Sequence, residues 1–104
     1  VPTSWADGPG KVEQWRILTV ARALDAGVFI AAADQARPDY ETKAGEPSGP
    51  TGAGHSVVVG PTGQRLAEAG YGPETLVVEI DPADATEARK ELPLAEIRQH
   101  SVIR

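Results

Sequence analysis

Apolar residues recur at helical spacing between Lys11 and Ala26, and this segment contains neither glycine nor proline. The pattern predicts a helix that Gly27 ends, because glycine readily adopts the left-handed conformation found just beyond a helix C-terminus. Residues 28–33 follow as a continuous apolar run with β-branched and aromatic members. A run of that length is typical of a strand that is buried on both faces.

Turn-forming residues divide the next part of the chain. Residues 34–53 hold three prolines and three glycines and predict a long loop, a feature that is uncommon inside a compact domain and is often functional or disordered. Short turns rich in glycine and proline then separate three predicted strands, at 55–60, 64–69 and 74–80. Strands joined in this way form an antiparallel meander.

A final helix is predicted where Asp81 precedes Pro82. The aspartate suits the N-cap position and the proline suits the first helical position, where no backbone N–H is needed. We expect this helix to end before Pro93. Residues 94–104 show no clear period and form a tail.

The first helix has apolar residues on two sides. One stripe comprises Ile17, Val20, Ala21, Leu24 and Val28. A different side carries Val12, Trp15 and Leu18, with Arg22 beside them. Two apolar faces indicate that one packs on the domain's own sheet and the other on a missing layer or a second subunit. The alternative is that Trp15 lies flat at the rim of a single core.

Composition and charge narrow the class of protein. Apolar residues make up 40% and charged residues 24% of the 104 residues, which is typical of a soluble globular domain. The formal net charge of −5 and the scattered basic residues argue against a nucleic-acid partner. The longest apolar run is too short to span a bilayer, and no cysteine is present for a disulfide or a thiolate metal site. We expect a cytoplasmic protein that uses no membrane.

No constellation of residues is a self-sufficient catalytic site. His55 and Ser56 are neighbours in a predicted strand, so their side chains point to opposite faces and cannot form a nucleophile–base pair. We expect them instead to hold the long loop by hydrogen bonds. His55 and His100 share no metal-ligand spacing. The carboxylates, Asp34 among them, show no catalytic spacing, and most of them are expected to be solvated surface charges.

Several motifs carry more information by their order than by any single residue. They are Trp15-x-x-Leu18-x-x-Ala21-Arg22-Ala23-Leu24-Asp25, the apolar run 28–33, Gly54-His55-Ser56 with 57–63, Leu66-Ala67-Glu68, 76–81, Ala88-Arg89 and Leu92-Pro93. In this order they resemble the C-terminal part of a carbon–nitrogen hydrolase of the nitrilase superfamily. The resemblance covers nearly the whole chain, which is less than half of a family domain.

The resemblance implies a layered α/β fold of the α+β type, in which residues 1–104 form the C-terminal portion of a single domain. That domain is a four-layer α-β-β-α sandwich, mostly antiparallel in this portion, and members usually associate as dimers or higher oligomers. The first helix matches the one that packs across the subunit interface in the family. The interface candidates are therefore Val12, Trp15, Leu18 and Arg22.

The chemistry implied by the resemblance is hydrolysis of amides, and less often of nitriles, through a Glu-Lys-Cys triad without a metal or an organic cofactor. All three triad residues precede the stretch that resembles the start of this chain, so none can be assigned to it. Residues 2–5 match a strand end beside the nucleophile. Ser4 and Trp5 are therefore candidate neighbours of the substrate pocket, although Trp5 could equally pack in the core.

Two hypotheses follow for the function of the chain. In the first it is the C-terminal part of an amide hydrolase, inactive alone, whose catalytic residues lie upstream of Val1. In the second it is a non-catalytic binding or assembly module derived from the same fold. The expected partners are a small-molecule amide for the whole enzyme, and either further copies of the chain or the missing N-terminal half.

Overall fold

The computed structural model describes residues 2–49 and 51–91. Helices and strands alternate along this part of the chain, which confirms the mixed α/β class. In chain order the elements are β1 (Pro2–Thr3), α1 (Lys11–Ala26), β2 (Ile30–Asp34), α2 (Tyr40–Lys43), β3 (Val57–Val59), β4 (Arg65–Glu68) and α3 (Pro82–Glu91).

The four strands form one sheet in the order β1-β2-β3-β4. β1 and β2 run parallel, with Thr3 opposite Asp34. The other two pairs are antiparallel, and Val58 on β3 lies between Ala31 on β2 and Ala67 on β4. The hairpin predicted after the long loop is therefore confirmed, although both of its strands are shorter than the sequence pattern indicated.

Helix α1 has the bounds that the sequence predicted. Gly27 follows it with a φ of 64°, and its N–H donates to the carbonyl oxygen of Ala23 at 2.9 Å. The N–H of Val28 reaches the same oxygen at 3.2 Å. These two bonds satisfy a carbonyl that the end of the helix would otherwise leave unpaired, and they turn the chain into β2.

The face of α1 that packs on the sheet is not the one that the apolar pattern indicated. Trp15 is only 5% exposed and joins Ala23, Val57 and Val59 in the core. The prediction that Trp15 faces a second partner is therefore wrong, since its indole fills the chain's own core. Ile17, expected on the sheet-facing stripe, is 69% exposed.

The cause of this rotation is a buried threonine. Thr19 lies on the inner face of α1, one turn beyond Trp15, and its hydroxyl donates to the carbonyl oxygen of Trp15 at 2.9 Å. A hydroxyl bonded within its own helix costs little to bury. A count of apolar residues leaves Thr19 out, because threonine is polar. It therefore assigns the wrong side of α1 to the sheet.

Strand β2 is buried on one face only, which corrects the prediction of two buried faces. Ala32 and Asp34 are buried, whereas Ala31 and Ala33 are exposed. Helix α1 covers the first face, and within residues 2–49 and 51–91 no element packs closely on the second. A run of apolar residues shows that both faces of a strand could be buried. Whether they are buried depends on a packed layer of other residues on each face.

The third strand of the predicted meander is absent from the described residues. Residues 74–80 carry no strand assignment, and Val77 and Ile80 are exposed. The prediction was wrong because the alternation of polar and apolar residues shows only that the side chains would suit a strand. A strand forms only where a neighbouring strand edge pairs with its backbone hydrogen-bonding groups.

Helix α3 begins as predicted. Asp81 accepts a hydrogen bond from the backbone N–H of Ala83 at 2.9 Å, which is the bond expected of an N-cap carboxylate. Arg89 donates to the carbonyl oxygen of Gly27 at 2.8 Å and so ties α3 to the end of α1. The predicted stop before Pro93 and the tail 94–104 lie outside the described residues.

Of the loop predicted at 34–53, the described residues 35–49 and 51–53 are largely without regular structure, interrupted by the single turn of α2. An isolated bridge pairs Ala6 with Gly52 and brings the end of the loop beside the first residues of the chain. Two hydrogen-bonded carboxylates, described next, hold this loop in place.

Candidate functional site

Asp34 ends β2, and its side chain joins three segments of the chain. Its Oδ1 accepts the backbone N–H of Trp5 at 2.6 Å, and its Oδ2 accepts that of Ala53 at 2.9 Å. The hydroxyl of Ser56 bonds to the backbone N–H of Asp34 at 3.0 Å and to its carbonyl oxygen at 3.3 Å. Asp34 therefore fixes the residues after β1, the end of the long loop and the start of β3 relative to one another.

The electrostatics of Asp34 reflect its position. Burial raises the pKa of the Asp34 carboxyl, while the hydrogen bonds from Ala53 and Trp5 act in the opposite direction. Asp34 is therefore an exception to the expectation that most carboxylates are solvated surface charges. One signal in the sequence could have found it, since an acid directly after a buried strand lies at the sheet edge where polar sites form.

A second buried network is centred on Arg37, which is only 1% exposed. Its Nη1 donates to Oδ2 of Asp7 at 2.5 Å and to the carbonyl oxygen of Glu46, and its Nε donates to Oδ1 of Asp39 at 2.6 Å. The carboxylate of Asp7 also accepts the N–H of Gly45 at 2.7 Å. This network ties the first residues of the chain to both ends of α2.

The charges in this network stabilise one another. The Arg37 guanidinium holds the pKa of Asp39 below its ordinary value, and hydrogen bonding to Asp39 raises the pKa of Arg37. Sequence analysis missed the network. Arg37 and Asp7 are 30 residues apart, and no local pattern links an arginine in a proline-rich loop to an aspartate near the chain start.

Trp5 lies half-buried beside these networks. Its indole Nε1 donates to the carbonyl oxygen of Lys11 at 2.9 Å, and the ammonium of Lys11 lies 5.5 Å from the ring centroid. The ring of Trp15 lies 6.2 Å away at an angle of 37°. Trp5 thus combines a packed face with an accessible one, whereas Ser4, the other predicted pocket residue, is exposed.

An apolar groove of about 390 Å³ lies between α1 and β2. It is lined by Trp5, Trp15, Leu18, Thr19, Arg22, Ile30 and Ala32. The structure therefore brings Trp5 together with three of the four interface candidates, while Val12 and Ser4 stay outside the lining. Leu18 and Arg22 are exposed at the rim, and their place at an interface stays a prediction.

His55 and Ser56 behave as the sequence predicted. The ring Nδ1 of His55 bonds to the carbonyl oxygen of Ala53 at 3.0 Å, and the hydroxyl of Ser56 is engaged by the backbone of Asp34. They hold the loop and do not bond to each other. Within the described residues, no group of three or more metal-ligating side chains could hold an ion, and no helix could span a membrane.

A family model described as carbon-nitrogen hydrolase matches residues 6–90, which is most of the chain. The chain belongs to the carbon–nitrogen hydrolase family. Among the similar proteins, a hydrolase of Mycobacterium tuberculosis is 47% identical over 91 residues, covering 86% of this chain and 32% of that protein. The family inferred from the order of the motifs is thus confirmed.

Solved structures agree with this assignment. Saccharomyces cerevisiae Nit3, a member of the nitrilase superfamily, superposes with a TM-score of 0.65 at 34% identity over 82% of this chain. The amidase from Nesterenkonia sp. AN1 does so with a TM-score of 0.56 at 34% identity over 96% of this chain. That amidase was solved with the acetamide moiety of fluoroacetamide added covalently at its active site cysteine.

These comparisons also show what share of each relative's length the chain covers. The chain spans about a third of each of these three relatives: 32% of the mycobacterial hydrolase, 29% of Nit3 and 32% of the Nesterenkonia amidase. The activity of a whole family member is therefore a proposal for this chain.

Proposed function

We propose that this chain is the C-terminal part of an enzyme that hydrolyses amides with a Glu-Lys-Cys triad, and that the triad is supplied by polypeptide upstream of residue 1. The main support is the likeness over 96% of this chain to an amidase whose active site cysteine carries a bound acetamide moiety. This chain itself contains no cysteine, so a thiol nucleophile would have to come from elsewhere in the protein.

The described residues would contribute one edge of the substrate pocket. β1 and β2 run parallel and end at the same edge of the sheet, where Trp5 and Asp34 lie. Ligands of open α/β sheets bind outside the carboxyl ends of parallel strands. Asp34 would act as a positioning residue there, because its two hydrogen bonds hold the Trp5 segment and the Ala53 segment together.

The test is an ammonia-release assay with a panel of small primary amides. The purified 104-residue chain should show no turnover, and co-expression with the polypeptide encoded upstream in the same reading frame should produce it. Alkylation with iodoacetamide should abolish that activity, because only the upstream part could then carry the reactive thiol. Turnover by the repurified chain alone would refute the proposal.

Association is a second candidate function, and two apolar surfaces favour it. The groove between α1 and β2 exposes Leu18 at its rim, and the sheet face that carries Ala31 and Ala33 has no closely packed layer within the described residues. We propose that these surfaces are covered by further copies of the chain or by the rest of the enzyme. Sedimentation velocity should therefore show oligomers of the chain, or a complex with the co-expressed upstream polypeptide, and a monomer at high concentration in both samples would contradict this.

A further inference from the structure

Asp7 is followed by Gly8, and this is the only Asp–Gly pair in the sequence. In such a pair the backbone nitrogen of the glycine can attack the carboxyl group of the aspartate, because glycine has no side chain to hinder the approach. The product is a five-membered succinimide ring, which water reopens to aspartate or to isoaspartate. The sequence therefore contains one site of spontaneous modification, and the folded structure controls its reactivity.

The reaction is balanced with water alone. The nitrogen of Gly8 bonds to Cγ of Asp7, and one carboxyl oxygen leaves as water with the amide hydrogen and a proton from solvent. Water then adds to one of the two ring carbonyls. Addition at the main-chain carbonyl gives isoaspartate, in which the backbone runs through Cγ, and addition at the other carbonyl restores aspartate. The mass of the chain is unchanged.

The fold brings the two reacting groups into contact in an unreactive direction. The N–H of Gly8 donates to Oδ1 of Asp7 at 2.8 Å. When that proton is lost, the electron pair left on the nitrogen faces the electron-rich Oδ1 and not Cγ. Bond formation needs the pair aimed at the carbon, so the carboxyl group of Asp7 has to rotate first.

Hydrogen bonds on both sides of Asp7 oppose this rotation. Its Oδ2 accepts from Nη1 of Arg37 at 2.5 Å and from the N–H of Gly45 at 2.7 Å. Ser48 holds the backbone of Asp7, since its hydroxyl accepts the N–H of Asp7 at 2.8 Å and its own N–H donates to the carbonyl oxygen at 3.2 Å. Rotation of the carboxyl group therefore breaks a hydrogen bond between two buried charges.

Burial opposes the reaction as well. Asp7 is only 3% exposed, and Gly8 is buried beside it. Water has to take the proton of the Gly8 N–H and later open the ring. It reaches both groups only when the structure opens locally, so the rate of modification follows the frequency of that opening.

We propose that Asp7–Gly8 is a modification site that Arg37 keeps closed, and that isoaspartate forms there when residues 45–48 separate from Asp7. Isoaspartate adds one methylene to the backbone and carries its carboxylate directly on Cα. It therefore no longer meets Arg37, Gly45 and Ser48 at the same time. One opening event would in this way be converted into a lasting release of the 35–49 loop.

The test is incubation of the folded chain at neutral pH, followed by proteolysis and separation of the peptides. The sample is prepared with the co-expressed upstream polypeptide if circular dichroism shows the chain alone to be unfolded. Fragmentation and enzymatic methylation identify isoaspartate at position 7, and the chain has no asparagine that could form it by deamidation. The chain unfolded in urea gives the unprotected rate, and the folded chain should react at least about tenfold more slowly.

Arg37→Met removes the charged donor to Asp7 and should raise the rate of isomerisation about tenfold, as expected from the loss of one hydrogen bond between charged groups. Arg37→Lys should lie between the two, because lysine keeps the charge. Trp15→Phe is the matched control. It destabilises the core and leaves the contacts of Asp7 in place, so its rate measures modification through global unfolding.

Equal rates in the folded and the urea-unfolded chain would overturn the proposal. So would an unchanged rate in Arg37→Met, or an increase in Trp15→Phe as large as that in Arg37→Met. The isomerised chain, purified by chromatography, should be cleaved faster within residues 35–49 than the unmodified chain, and equal cleavage would overturn the release of the loop. Amide hydrolysis enters none of these steps, so the outcome is independent of the proposed function.

Discussion

Trp15 is the side chain whose removal should damage this chain most. It is the largest apolar group in the core formed with Ala23, Val57 and Val59, and its indole N–H donates to the carbonyl oxygen of His55 at 2.7 Å. Trp15→Ala removes both contributions and leaves a cavity against β3. Loss of a buried tryptophan in this way costs about 3–5 kcal/mol. A domain of this kind is stabilised by only about 5–15 kcal/mol, so the variant should be close to unfolding.

Trp15→Phe separates the two contributions. Phenylalanine keeps most of the apolar volume but leaves the His55 carbonyl without its donor, at a cost of about 1–3 kcal/mol. Ile17→Ala is the matched control, since Ile17 lies on the same helix and is 69% exposed. Its effect should stay within about 0.5 kcal/mol.

The assay is urea unfolding followed by far-UV circular dichroism, with Trp5 fluorescence as a second probe that all three variants keep. The expected order of stability is Ile17→Ala, then Trp15→Phe, then Trp15→Ala. If Trp15→Ala unfolds within about 1 kcal/mol of Ile17→Ala, the assignment of Trp15 to the core is wrong.

Three further predictions concern the charged groups. Because burial raises the pKa of Asp34, the contribution of this carboxyl to stability is present at low pH and is lost as pH rises through its folded pKa. The urea midpoint of Asp34→Asn should therefore fall less with rising pH than that of the unsubstituted chain. Parallel curves for the two proteins would contradict this. Arg37→Met should free the 34–53 loop and speed proteolytic cleavage within it about tenfold. Arg37→Lys should be intermediate, because lysine lacks the two-pronged donor. Cleavage of both variants at the unsubstituted rate would show that Arg37 does not hold the loop. Glu68→Gln should cost less than about 1 kcal/mol, since its partner Arg16 is half-exposed, and a cost that persists in about 0.5 M NaCl would show that the pair is not screened.

Elements that depend on neighbouring residues were predictable from the sequence. Gly27 and Asp81 act within one turn of the helices that they end and begin, through bonds to Ala23 and Ala83. The hairpin of β3 and β4 needs only a short turn between an apolar segment and a segment that alternates polar and apolar residues. The order of such local motifs was also enough to indicate the family.

Features that depend on distant partners were not predictable. The packing face of α1 differs from the predicted one because the hydroxyl of Thr19 is satisfied inside the helix. The strand predicted at 74–80 is absent because no described strand edge pairs with it. The role of Asp34 was missed for the same reason. The sequence did not set Asp34 apart from the other carboxylates, because its two backbone donors lie 29 and 19 residues away along the chain.

The sequence by itself indicated helices α1 and α3, the turns, the family and the absence of a cysteine from these 104 residues, because each of these follows from residue identity and short-range spacing. Only the tertiary structure decided which carboxylates are buried and which tryptophan fills the core. Those properties depend on groups far apart in the chain, and folding sets their distances and their access to water.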